Sequence, residues 1–429
     1  MKNIVIGSGP AGRLASLELG KLKEETLLIE KNHIAGTCLN EGCMVICALT
    51  DITRFIDMNN RFNSYGFLNS QIDLSYEKIV EKIKETQIKL RKLNEIENKS
   101  VGNELLYGEA ILDENNVYVN GESYEFDNLL IATGARPFIP DIKGNQYGLT
   151  NKDILKLDDV PQKLNIIGSG VLSCEIANIY SKLGSEVNIF SRSSFLKNID
   201  EDIKEYIIKH LISDVSIFEN TDVLEIKKNK IITNKGDFEG TSFFATGRSP
   251  NSELVNDLVD LNEDKTIKVN EFMETSIKNI YSAGDVIGSY QMTPIARMEG
   301  IVASRNMAGI PTKIDYNCIP QSISLNMDVS FVENEKNTNK LKNIKYPALA
   351  GPNSFWNILS GDVGLSKISF DEKLNKIGKI TSISPSSVSD VSYLSYLMRI
   401  DDDLNNFEKF IEIHPSTDTN YKIIKSLWL

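Results

Sequence analysis

Two glycine-rich turns, one at the start of the chain and one near its middle, constrain this 429-residue sequence more than any other feature. The first, NIVIGSGPAG, joins an apolar run to Gly7, Gly9 and Gly12 in G-x-G-x-x-G spacing. Gly7 permits the tight turn and Gly9 lets a pyrophosphate approach the backbone. Gly12 lets the following helix, expected over about residues 11–23, pack closely on a sheet. Unpaired N–H groups at that helix start would hold phosphate. A second apolar run, TLLIEK, ends at Glu30, about 20 residues on, where a carboxylate can accept both ribose hydroxyls. Strand, turn, helix, strand and terminal acid in register predict a dinucleotide site.

The second unit, LNIIGSGVLSCEIANIYSKLGSEVNIFSRS, repeats the pattern at Gly168 and Gly170, with Ser173 in the third position. Its second strand ends in Ser191 and Arg192 instead of an acid. A carboxylate there would favour a free 2′-hydroxyl, whereas a small polar residue beside Arg suits a 2′-phosphate, so NADP is favoured over NAD. The competing reading of Arg192 is a solvated surface charge. Two cradles in one chain imply two nucleotides and electron transfer between them. The fold class expected is α/β with two Rossmann-like units.

With 47 Lys and Arg against 59 Asp and Glu, the formal charge is −12, which argues against nucleic-acid or anionic-membrane partners. No apolar stretch approaches the roughly 20 residues of a membrane span. The N-terminus runs directly into a strand, and a cytoplasmic protein is expected. Cys38, Cys43 and Cys47 cluster in TCLNEGCMVIC, while Cys174 and Cys318 stand apart. The spacing matches no zinc knuckle, and no metal site is expected. The cluster is either redox-active or the filling of a buried helix start.

Together with AGTCLNEGC, NLLIATGARP, FFATGRSPN and NIYSAGDV, the two glycine units resemble the FAD-dependent pyridine nucleotide–disulfide oxidoreductases, which include dihydrolipoamide dehydrogenase and glutathione reductase. The resemblance spans nearly the whole chain. It implies an FAD domain at 1–148 and 252–315, an NAD(P) domain at 149–251, and an α+β dimerisation domain at 316–429. Around FAD it implies Gly7, Gly9, Pro10, Ala11, Gly12, Glu30, Lys31, Gly36 and Thr37. Ala110 would lie near the adenine, Ala132, Thr133 and Gly134 along the FAD edge, and Gly284 with Asp285 near the ribityl or phosphate region. Met292 and Thr293 would offer backbone groups to the flavin. NAD(P)H would meet Gly168, Gly170, Glu175, Ser191, Arg192 and Gly247.

By the same resemblance, electrons pass from NAD(P)H through FAD to a Cys38–Cys43 disulfide and on to a disulfide or dithiol substrate. Cys43 would face the flavin, its thiolate favoured by a helix starting nearby, and Cys38 would attack the substrate. His414, in EIHPSTDTNY, matches the His-Pro motif by which a partner subunit shuttles protons in homodimeric members. His33 and His210 read as ordinary surface or core residues.

Three departures stand out. Cys47 occupies the place of the usual Lys that pairs with the glutamate of the second glycine unit, here Glu175. It lies one helical turn after Cys43, and is either a small apolar filler or a third thiol. Thr419 replaces the Glu that orients the His, with Asp418 beside it. The final domain lacks the usual Thr-x-Pro-Glu. These leave two rivals to a disulfide reductase: a flavin oxidase or diaphorase with vestigial thiols, and a non-enzymatic FAD-binding subunit.

Overall fold

A computed structural model describes residues 2–113, 116–255, 258–334, 341–348, 351–371, 376–400, 409–416 and 419–426. Along the chain, the elements that build the site are β1 (Lys2–Ile6), α1 (Pro10–Lys21), β2 (Glu25–Glu30), α2 (Gly36–Asn40), α3 (Cys43–Ser64) and α4 (Tyr76–Ser100). They continue with β3 (Glu104–Tyr107), β4 (Asn128–Ile131), β5 (Lys163–Ile167), α5 (Val171–Lys182), β6 (Glu186–Phe190), β7 (Ile280–Ser282) and α6 (Thr293–Met307).

The first sheet is parallel, in the order β7-β4-β1-β2-β3. Its central strands are buried on both faces, which explains their unbroken apolar runs. The closing strand β7 comes from far along the sequence, so this unit is built from two separated segments. Helices α1 and α6 pack against each other, and Gly300 makes this approach feasible. A side-chain carbon added there would lie 2.2 Å from the Ala11 carbonyl oxygen.

A second parallel sheet orders Val215–Phe218, β6, β5 and Thr241–Phe244. Leu149 joins it, donating its N–H to Ser242 and accepting from that of Phe244. The strands Ala135–Pro137 and Arg248–Pro250 pair antiparallel and tie the two units together.

The third sheet is antiparallel: Gln321–Ile323, Val329–Glu333, Lys376–Ile383, Leu365–Asp371 and Lys342–Tyr346. Its inner residues Ile323, Leu325, Val329 and Ile383 share one core with α5 and β5, so the last sheet is seated on the second unit. Helix α4 buries Tyr76, Val80 and Ile83 and leaves its charged face in solvent, as an amphipathic helix does. The Tyr76 hydroxyl reaches that of Tyr180 at 3.0 Å, locking this helix to α5.

Candidate active site

One cavity of about 2660 Å³ runs past both glycine turns and the cysteine cluster. That is several times a single small-ligand pocket and leaves room for two nucleotides. At the first turn Gly7 has φ +98°, and a side chain would meet the Ala132 carbonyl oxygen at 2.3 Å. Gly9 has nothing within 4 Å on its open side, where a phosphate would rest. The second turn repeats this geometry: Gly168, at φ +130°, would strike the Ala245 carbonyl oxygen at 2.2 Å, and Gly170 is open.

Glu30 is buried and fixed before any ligand arrives. Its carboxylate accepts the Ser8 N–H (3.0 Å) and hydroxyl (2.7 Å) and the Asn32 N–H (2.7 Å). This preorganises an acceptor at the end of β2, the position a ribose needs. The residues of the first unit therefore fit a flavin dinucleotide.

The other expected residues divide cleanly. Pro10, Ala11, Lys31, Gly36, Thr37, Ala110, Ala132, Thr133, Gly134, Asp285, Met292 and Thr293 line the cavity, as do Glu175, Ser191, Arg192 and Gly247. Gly12 and Gly284 do not. A side chain at Gly12 would meet the Gly7 carbonyl oxygen at 1.9 Å, and Gly284 donates its N–H to Glu299 behind the wall. Both shape the site from the wall. Asp285 pairs with Arg248 at 3.3 Å, and burial pushes its carboxyl above the ordinary range.

At the second turn the Ser191 hydroxyl is already used. It donates to the Ser193 carbonyl at 2.7 Å and accepts the Ser193 N–H at 3.2 Å. Arg192 is exposed, with no ion pair among the described residues, and Lys197 lines the same region. Recognition of a ribose phosphate would therefore fall to the cations and not to Ser191.

The dithiol lies between two helices. Cys38 sits in α2 and Cys43 opens α3, and both line the cavity. The neighbouring Cys43 thiol, helped by Thr293 and Arg297, lowers the Cys38 thiol to about 6 against the opposing effect of burial. Cys38 and burial push Cys43 well above the usual thiol range. The two thiols therefore titrate as a pair.

Cys47 is exposed one turn along α3, its thiol pushed up by burial and by the charges of Cys43, Asp51 and Glu175. Glu175 accepts the Ser324 N–H at 2.9 Å and has no ion pair among the described residues. Burial, then Cys43 and Asp328, raise it to about 7. Nearby Arg54 is spent elsewhere: it donates to the Leu325 carbonyl and to Asp328 at 2.6 Å. His414 is exposed and does not line this chain's cavity. Thr419 opens the last helix as a buried residue, and Asp418 lies outside the described residues.

Residues 1–300 match the family described as pyridine nucleotide-disulphide oxidoreductase. This chain belongs to that family. A pyridine nucleotide-disulphide oxidoreductase is a flavoprotein enzyme using NAD(P)H, and the cradles described above are the parts it requires. An uncharacterised protein of Methanocaldococcus jannaschii is 32% identical, covering 99% of this chain and 98% of its own length. Dihydrolipoyl dehydrogenase of Mycoplasma pneumoniae is 31% identical over 69% of this chain and 68% of its own. The HOCl-induced flavoprotein disulfide reductase of Escherichia coli has the same fold, with a TM-score of 0.88 at 21% identity over the full length of both chains. The oxidoreductase and its fold class, expected from the motifs, are both shown.

Arg297 and the Cys43 contact of Thr293 went unnoticed in the sequence. Their signal was present in MTPIAR, since residues four apart on a helix share a face. What it lacked was any indication that α6 abuts the dithiol.

Proposed function

We propose that this oxidoreductase carries electrons from NADPH through FAD and the Cys38–Cys43 pair to a disulfide substrate, as a homodimer in the cytoplasm. The observation that carries the reading is the Cys38–Cys43 pair, which lines the same cavity as both nucleotide cradles. Bound FAD supplies the two-electron step between nicotinamide and sulfur. Cys38, as thiolate, is the nucleophile toward the substrate disulfide, and Cys43 resolves the mixed disulfide. Thr293, 3.7 Å from Cys43, orients the pair.

The proton carrier is the partner subunit's His414. Its own chain leaves His414 in solvent, between the exposed Ile413 and the turn that follows, and Ile411 and Ile413 are 88% and 84% exposed. Apolar side chains so bare beside a candidate catalytic group favour burial against a second copy. NADPH over NADH rests on Arg192 and Lys197. A cytoplasmic location accords with sparse cysteine use, five in 429 residues. Among the described residues no helix is long and apolar enough to cross a membrane. The domain partition 1–148 with 252–315, 149–251 and 316–429 accompanies this reading, supported by β7 closing the first sheet and Leu149 joining the second.

The second reading, a flavin oxidase or diaphorase with idle thiols, is favoured by one observation: among the described residues Glu175 has no ion pair where hydride would arrive. Steady-state disulfide reduction with NADPH separates the two. The proposal expects turnover with a disulfide that Cys38→Ser abolishes, whereas turnover surviving Cys38→Ser supports the diaphorase.

A further inference from the structure

Of the arginines that line the cavity or flank the dithiol, Arg54 is paired with Asp328, Arg136 with Glu253 at 2.5 Å, and Arg248 with Asp285, while Arg192 lies at the second glycine turn. Arg297 is exposed and makes no hydrogen bond or ion pair among the described residues. It lies one turn after Thr293 on α6, hence on the face that carries the Cys43 contact. Its charge reaches Cys38. In a chain with a net charge of −12, this is an unneutralised guanidinium whose charge acts on the attacking sulfur.

A thiolate approaching an anionic disulfide meets like-charge repulsion, and the guanidinium is placed to offset it. Its planar donor fork matches a carboxylate or another oxyanion. We propose that Arg297 determines substrate choice at the dithiol, and that the disulfide reduced there carries an anionic group, such as a carboxylate, close to its sulfur. The chemistry rests on the disulfide-reductase reading above. The Cys38 thiolate attacks one sulfur of R–S–S–R; that bond breaks, Cys38–S–S–R forms and RS⁻ leaves. Cys43 then passes its proton to the first RS⁻, giving RSH, and attacks the Cys38 sulfur; the mixed disulfide breaks, the Cys38–Cys43 disulfide forms and the second RS⁻ leaves. Two electrons pass from the dithiol to the substrate, which departs as RSH and RS⁻, with NAD(P)H restoring the pair. Throughout, Arg297 holds the anionic group of R.

The test uses the flavin-loaded protein with its dithiol reduced chemically, in a Cys47→Ser background so that the exposed third thiol does not contribute. Single-turnover rates are compared for dianionic 5,5′-dithiobis(2-nitrobenzoate) and neutral 4,4′-dithiodipyridine. Arg297→Gln is expected to lower the dianion-to-neutral rate ratio about tenfold, the scale of one charge-assisted contact, and Arg297→Lys to retain most of it. Raised salt should lower the ratio in the parent protein and leave Arg297→Gln unchanged. If Arg297 only stabilised the thiolate, both probes would slow together and the ratio would stay constant, which overturns the proposal. Chemical reduction keeps this readout independent of NADPH, so failure of the electron path from nicotinamide would appear separately, as reduced thiols that react normally but are not regenerated.

Discussion

Thr293 Oγ1 lies 3.7 Å from Cys43 Sγ, a contact that brings the start of α6 against the start of α3 across 250 residues of sequence. Two helix N-termini therefore converge on one sulfur pair, and both favour negative charge there.

Thr293→Val is expected to raise the apparent pKa of the reactive thiol above its value of about 6, because a hydrogen bond that stabilises the anion is lost. Thr293→Ser restores it. The rate of alkylation by neutral iodoacetamide as a function of pH measures this directly; superimposable profiles for the parent and Thr293→Val would show that the contact is inert.

Glu175 should give hydride transfer a pH dependence. Its carboxyl faces Cys43 and Cys47 with Asp51, Asp328 and Arg54 nearby, and titrates at about 7. Below that pH it is neutral; above it, a carboxylate opposes the negative charge arriving with the hydride. Stopped-flow rates with NADPH are expected to fall as pH rises through about 7, and Glu175→Gln should flatten the profile.

The same group bears on stability. Its folded-state pKa lies above the ordinary value of 4.5, so the folded state holds more protons between those values and loses stability as pH rises through that window. Above pH 7 Glu175→Gln should melt at a higher temperature than the parent. A lower one would mean that the carboxylate has a cationic partner.

Arg192→Ala should raise KM for NADPH by about ten- to a hundredfold and leave that for NADH nearly unchanged, the effect of removing a charge-assisted contact to a phosphate. Equal effects on the two cofactors would make Arg192 a solvated charge.

Arg54→Met removes the cation that holds Asp328 and both donors to Leu325. An unpaired, half-buried carboxylate costs about 1–3 kcal/mol, visible as a lower denaturant midpoint. The double variant with Asp328→Asn should recover part of it.

Much of this molecule is legible in its sequence, and for physical reasons. The cradles are readable because Gly7 and Gly168 adopt positive φ beside a backbone carbonyl, a situation that excludes every other residue. The dithiol is readable because α3 starts at Cys43 itself. The final sheet is less so. Its strands bury Ser330, Ser366, Thr381 and Ser382 among apolar residues, which blurs the alternation that marks a strand. Nor does sequence disclose that Thr293 reaches Cys43, or that the charge of Arg297 acts on Cys38. Both depend on helices that meet only in the folded chain.

Anaerobic titration of the flavin-loaded enzyme with NADPH tests the central claim most directly. If the Cys38–Cys43 pair accepts the electrons, a long-wavelength charge-transfer absorbance develops at the two-electron stage, and the thiol count rises by two on reduction. Complete bleaching of the flavin with no such band and no new thiols would contradict the account.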